Sequence, residues 1–198
     1  MKGLIRKEFY LSRGNFLFFS VISLVFFVCY VVSPSHSMFF ISYPALLLSI
    51  ISTSSMQSDE MDRWNVFAAA LPCSKRQLVS VKFIIALAVA LVVTLSVLIV
   101  TLLCDRDGTF LSTTVLIFLY SLLTPAINLM ASFKWRIRKS RIFSLLLTVV
   151  IFVGLNFGIE YLNPHLQVGK SLLLAALGLL IFFALWHIAS RAYQHRDL

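Results

Sequence analysis

Five stretches of this chain carry no Asp, Glu, Lys or Arg: residues 14–58, 83–104, 108–133, 142–159 and 171–190. A helix rises about 1.5 Å per residue and the hydrocarbon core of a bilayer is roughly 30 Å thick, so about 20 apolar residues cross it. Each run is long enough. The first is double length and contains SPSHS at 33–37, where Pro34 and small polar residues make a turn, so it divides into two helices. Six spans are expected, at about 15–32, 38–56, 83–103, 109–133, 142–161 and 171–190. The composition agrees: 60% of the 198 residues are apolar and 13% charged, more apolar surface than a soluble fold can hide. The fold class is an all-α membrane protein forming a single domain over 1–198.

The loops set the orientation. Residues 1–14, 57–82 and 134–141 and the tail hold 4, 4, 5 and 2 Lys or Arg, whereas the opposite side holds only Arg106 and Lys170. The positive-inside rule then places both termini in the cytoplasm. The first span exceeds the usual ~7 to 15 residues of a signal-peptide core and ends in no clear small-x-small site, so it is expected to be retained. The net charge of +9 needs no nucleic-acid partner. The densest basic run, KWRIRKSR at 134–141, abuts a span and suits a topology anchor or a contact with anionic lipid. Cys29 and Cys104 both fall towards the outer side, in no recognised disulfide pattern, and Cys73 falls in the cytoplasm.

Two segments outside the spans have readable structure. In MKGLIRKEFYLSRGN, Met1, Leu4, Ile5 and Phe9 can share one face while Lys2, Arg6, Lys7 and Arg13 reach for lipid phosphates, which predicts an interfacial helix over 1–14. Within 57–82, Ser58 can cap a helix whose first turn holds Asp59, Glu60 and Asp62. Met61, Trp64, Phe67, Ala68 and Leu71 then recur at steps of three and four, and Pro72 ends the helix. Ser74 and Gln77 fit a capping box, so the third span should begin in the cytoplasm and include Lys75, Arg76 and Lys82. So little soluble mass leaves scant core for Trp64 and Phe67. They lie on the bilayer interface or fill a groove on another subunit.

DEMDRWNVFAAALPCSKRQLVSVKFI resembles the segment between the second and third spans of six-span type-2 ABC exporter permeases. In the branch that includes exporters of bacteriocin-like and phenol-soluble-modulin peptides, an acidic pair precedes Trp, then Leu-Pro, a basic residue, a hydrophobic pair and Lys. Asp59 and Glu60, Trp64, Leu71 and Pro72, Arg76, Leu78 and Val79, and Lys82 occupy those positions. The opening MKGLIRKEFY is similar as well. The resemblance implies a permease of the bacterial cytoplasmic membrane whose coupling helix sits on a separate ABC ATPase, with Asp59, Glu60, Asp62, Arg63, Trp64, Phe67, Leu71, Pro72 and Arg76 at that contact. It further implies a second permease subunit, identical or related, and favours peptide export, while the 18 phenylalanines and few charges suit amphipathic or lipid-like cargo, helical peptides included. ATP and Mg would be bound by the partner, with no cofactor in this chain. A scaffold, immunity or sensor protein that does not transport would keep the same loop as a docking surface.

No catalytic constellation competes. VGKS at 168–171 has the ending of a phosphate-binding loop, but its earlier glycine position is Pro164. His36, His165, His187 and His195 are widely separated and have no metal-ligand spacing. The chain is therefore not expected to be an enzyme by itself. In the fourth span, Pro125 and Asn128 either line a pathway at a flexible kink or are a tolerated proline and an amide bonded to a neighbouring helix. GLNFG at 154–158 is a GxxxG pattern that suits close helix packing. Asn156 and Glu160, at the outer end of the fifth span, are candidates for a gate, and the resemblance makes a small re-entrant helix plausible there.

Overall fold

The computed structural model describes residues 2–33, 39–47, 58–59, 74–104, 110–134, 142, 146–154, 156–157 and 168–194. All of these are helical except Ser33 and Ser74. Four long helices carry the architecture: α1 (Lys2–Val32), α2 (Lys75–Cys104), α3 (Phe110–Lys134) and α4 (Val168–Gln194). Shorter helical stretches at 39–47 and 146–154 fall within the expected second and fifth spans, whose remaining residues lie mostly outside the described ones.

The amino-terminal segment departs from expectation. The interfacial helix and the first span are one helix of 31 residues, unbroken at Gly14 and Asn15. A single glycine costs a helix about 1 kcal/mol, less than exposing an unpaired backbone turn where the chain enters lipid. The helix closes where Ser33 N–H donates to Cys29 O at 2.9 Å, and Pro34 follows. By contrast, α2 starts as expected: Gln77 N–H donates to Ser74 Oγ at 3.3 Å and Ser74 N–H to Gln77 Oε1 at 3.2 Å, a reciprocal capping box.

One seam organises the packing. In α2 the buried Val79, Phe83, Ala86, Ala90, Val93 and Val97 advance by alternate steps of four and three, with Val81 buried beside them at the charged end, the spacing that keeps one narrow face against a neighbour. The lower half of that seam joins Leu122, Ala126, Leu129 and Phe133 of α3 and Phe182, Ala189 and Tyr193 of α4. Its upper half meets Tyr30 of α1, Ile41 and Ala45, and Ile117 and Tyr120 of α3. Helix α3 is central, with a larger share of its apolar length buried than α2 or α4. It packs most extensively on α4. There a Cβ added to Gly178 would run into the end of the Leu119 side chain, so glycine suits the close approach of the two helices.

The other faces of α2 and α4 stay apolar and exposed, with Leu91, Leu95 and Ile99 on one and Leu173, Leu177 and Leu180 on the other. Helices apolar all round but buried along a stripe belong in a bilayer. α2, α3 and α4 are each long and apolar enough to cross one, and Phe16–Val32 is a shorter apolar stretch of α1.

Candidate functional site

Four ionised side chains meet at one end of the bundle. Lys82 Nζ lies 2.6 Å from Asp59 Oδ2 and 3.1 Å from Glu8 Oε1. Lys7 Nζ lies 3.4 Å from the same Glu8 oxygen and pairs with Asp59 Oδ1. The pairs close into a ring that alternates in sign, Lys7, Glu8, Lys82, Asp59, with each lysine held by both acids. The carboxylates are the deeper members: Glu8 is 5% and Asp59 6% exposed. Desolvating such groups is expensive, and two bases matched to two acids offset that cost only while the geometry holds.

The sequence builds this ring from three separate pieces. Lys7 and Glu8 are adjacent in the second turn of α1, and Asp59 belongs to the helical pair 58–59. Lys82 is eight residues past the Ser74 cap, two turns into α2. The same end collects the finish of α4: Lys75 Nζ donates to Gln194 O at 3.5 Å, and Tyr193 meets Phe133 edge-on at 5.2 Å between ring centres. Thus the start of α1, the start of α2 and the end of α4 share one end of the molecule. Cys29 and Cys104 lie 22 residues beyond Lys7 and Lys82 respectively, about 33 Å along each helix. Both thiols are free.

The candidates taken from the sequence divide sharply. Asp59, expected on a surface offered to a partner, is turned inward and used by both lysines of the ring. Arg76 is exposed. Glu60, Asp62, Arg63, Trp64, Phe67, Leu71, Pro72 and Glu160 lie outside the described residues, as does Cys73. Pro125 is buried within an α3 that continues through it. Asn128 Nδ2 donates to Thr148 Oγ1 at 3.1 Å, tying α3 to the helical stretch 146–154, while its Oδ1 has no partner among the described residues. Asn156 accepts from Ser42 Oγ at 3.1 Å, which links it to the helical stretch 39–47, and donates to Phe152 O at 2.8 Å. Both amides are thus hydrogen-bonded to a neighbouring helical stretch.

One expectation changes. Lys7 faces Asp59 and Glu8 and not lipid phosphate, because a buried carboxylate competes better for an ammonium than a solvated headgroup does. Among the described residues a Cβ added to Gly154 would meet nothing within 4 Å, and Gly158, the other glycine of the GxxxG pattern, lies outside them. Sequence reasoning overlooked Glu8. Its signal was present, since it is the single acid in an amino-terminal segment with four basic residues. Among the described residues no three His, Cys, Asp or Glu side chains converge as metal ligands.

A family model described as ABC-2 family transporter protein matches residues 3–196. The chain matches no curated protein and no solved structure.

Proposed function

We propose, from the premise that this chain belongs to the ABC-2 family of transporter proteins, that it is the permease half of an exporter driven through residues 57–82. The family makes the chain a membrane component of an ABC transporter and implies an ABC ATPase as its associate. In the proposed assembly two permeases, identical or related, cross the bacterial plasma membrane with six spans each and keep both termini in the cytoplasm. Two ATPase subunits bind ATP and Mg and lie against a coupling helix formed by Glu60, Asp62, Arg63, Trp64, Phe67, Leu71 and Pro72, with Arg76 at its edge. Amphipathic peptides or lipid-like molecules are the cargo.

The observation that carries this reading is the ring. Asp59 stands at the head of the acidic turn and is locked to Lys7 of α1 and Lys82 of α2. Removing one partner of a buried ion pair costs about 3 to 5 kcal/mol. A push delivered to residues 60–72 is therefore cheaper to accommodate by moving α1 and the third span as a unit than by parting the ring. When ATP draws the ATPase pair together, the two coupling helices follow, and each ring converts that approach into a shift of its own α1 and α2.

The test is co-purification with an ABC ATPase that lacks spans of its own and is encoded beside the permease. Trp64→Ala, and Glu60→Lys combined with Asp62→Lys, should release the ATPase and return its ATP turnover to that of the free subunit. Retention of the full complex and of its turnover in both variants would refute the coupling assignment.

A further inference from the structure

We infer that α1 and α2 hold one acyl chain of an anionic phospholipid between them, with the lipid phosphate on Arg13. A half-open cavity of about 370 Å³ lies between the two helices above the ion-pair ring, lined from Phe16 to Phe27 on α1 and from Val92 to Val100 on α2, with Pro44 of the 39–47 stretch beside them. Three serines make the room. Ser20, Ser23 and Ser96 stand on the walls where larger side chains would close the gap.

Its chemistry favours a hydrocarbon chain over a peptide. Ser23 Oγ is turned onto Phe19 O at 2.8 Å and Ser96 Oγ onto Val92 O at 2.9 Å. Both hydroxyls are thus spent on their own helices, and a peptide backbone entering the groove would find neither directed at it. The groove has the length of one leaflet. Phe16 and Phe27 are eleven residues apart, about 16 Å along the helix, against roughly 15 Å for half a hydrocarbon core.

Charge selects the lipid and the leaflet. Positions 13, 16, 20, 23 and 27 advance by alternate steps of three and four, so Arg13 stands on the groove face one turn nearer the charged end. It is exposed. A phosphate on Arg13 therefore belongs to a lipid of the leaflet at the ring's end, and its chain runs directly into the cavity. Net negative headgroups gain from such a cation and zwitterionic ones far less. This site follows from the bilayer placement of α1 and α2 and is independent of transport.

The experiment uses the full chain in nanodiscs of phosphatidylcholine with a minority of phosphatidylglycerol, and measures the motionally restricted fraction of spin-labelled lipid of each kind. Arg13→Gln should weaken retention of phosphatidylglycerol about fivefold, leave phosphatidylcholine unchanged, and be rescued by Arg13→Lys. Ser20→Leu with Ser96→Leu, which fills the groove, should lower retention of both lipids. An unchanged phosphatidylglycerol preference in Arg13→Gln overturns the proposal, as does full retention of both lipids by the filled variant. Efficient disulfide cross-linking of two copies through Ser20→Cys in the same membranes also overturns it, because a second protein chain would then occupy the groove.

Discussion

At one end of the bundle, three chain segments are fastened by a ring of two carboxylates and two lysines; at mid-depth, the same α2 is held to α3 and α4 by Phe83, Ala86, Ala90, Leu122, Ala126 and Phe182. The two regions hold helices in different ways. Apolar packing is non-directional, and its individual contacts are worth only tenths of a kcal/mol, so small sliding exchanges one set for another. Ion pairs between buried groups depend on distance and on every partner staying in place. A bundle built this way can shear at its seam and must move as a unit at its ring. That is a useful division of labour where force is applied at one end.

The strongest way to break the comparison is to open the ring. Asp59→Ala should lower stability by about 3 to 5 kcal/mol, because Lys7 and Lys82 would be left sharing Glu8. Thermal unfolding in detergent reads that loss. Replacing all four members by apolar residues, Lys7→Met, Glu8→Leu, Asp59→Leu and Lys82→Met, should leave stability equal to that of the native protein or raise it by about 1 to 4 kcal/mol, since no orphaned charge remains. If the single and the quadruple variants were equally unstable, the ring would not be the closed, mutually compensating unit described above.

At the seam, a smaller effect is expected. Gly178→Ala puts a methyl against Leu119, and overpacking of this kind costs about 1 to 3 kcal/mol. The clash falls on the far end of a flexible side chain, so Leu119→Ala in the same protein should relieve most of it. Smallest of all is the polar clip: Thr148→Val removes the Asn128 hydrogen bond, and such bonds between membrane helices average about 0.6 kcal/mol. A loss as large as that at the ring would show that Asn128 does more than join two spans.

Much of this architecture was legible in the residues. Charge-free runs located the long helices because lipid tolerates few ionised groups, and the Ser74 and Gln77 pair marked the start of α2 because capping is a local, reciprocal bond. What could not be read locally was pairing across the chain. Glu8 and Lys82 are 74 positions apart, and nothing in the amino-terminal segment says that its one acid will be buried against the third span. Asp59 is instructive in the same way. Its place at a helix start suggested a surface charge on a dipole, yet tertiary partners took both of its oxygens. The continuity of α1 was missed for a different reason: the charged stretch 1–14 and the apolar run after it differ in composition, but in a chain entering lipid the demand for paired backbone groups carries one helix through both. Gly178 carried no pattern at all, because its role depends on Leu119, 59 positions away on another helix.

The central claim is that movement delivered to the segment beginning at Asp59 reaches α1 through the ring. Spin labels at Phe9, exposed on α1, and Arg191, exposed at the end of α4, report it in the permease–ATPase complex as the change in their separation when ATP is trapped. The account predicts a shift in the native ring and none in the quadruple apolar variant with its ATPase still bound. An equal shift in both would contradict it.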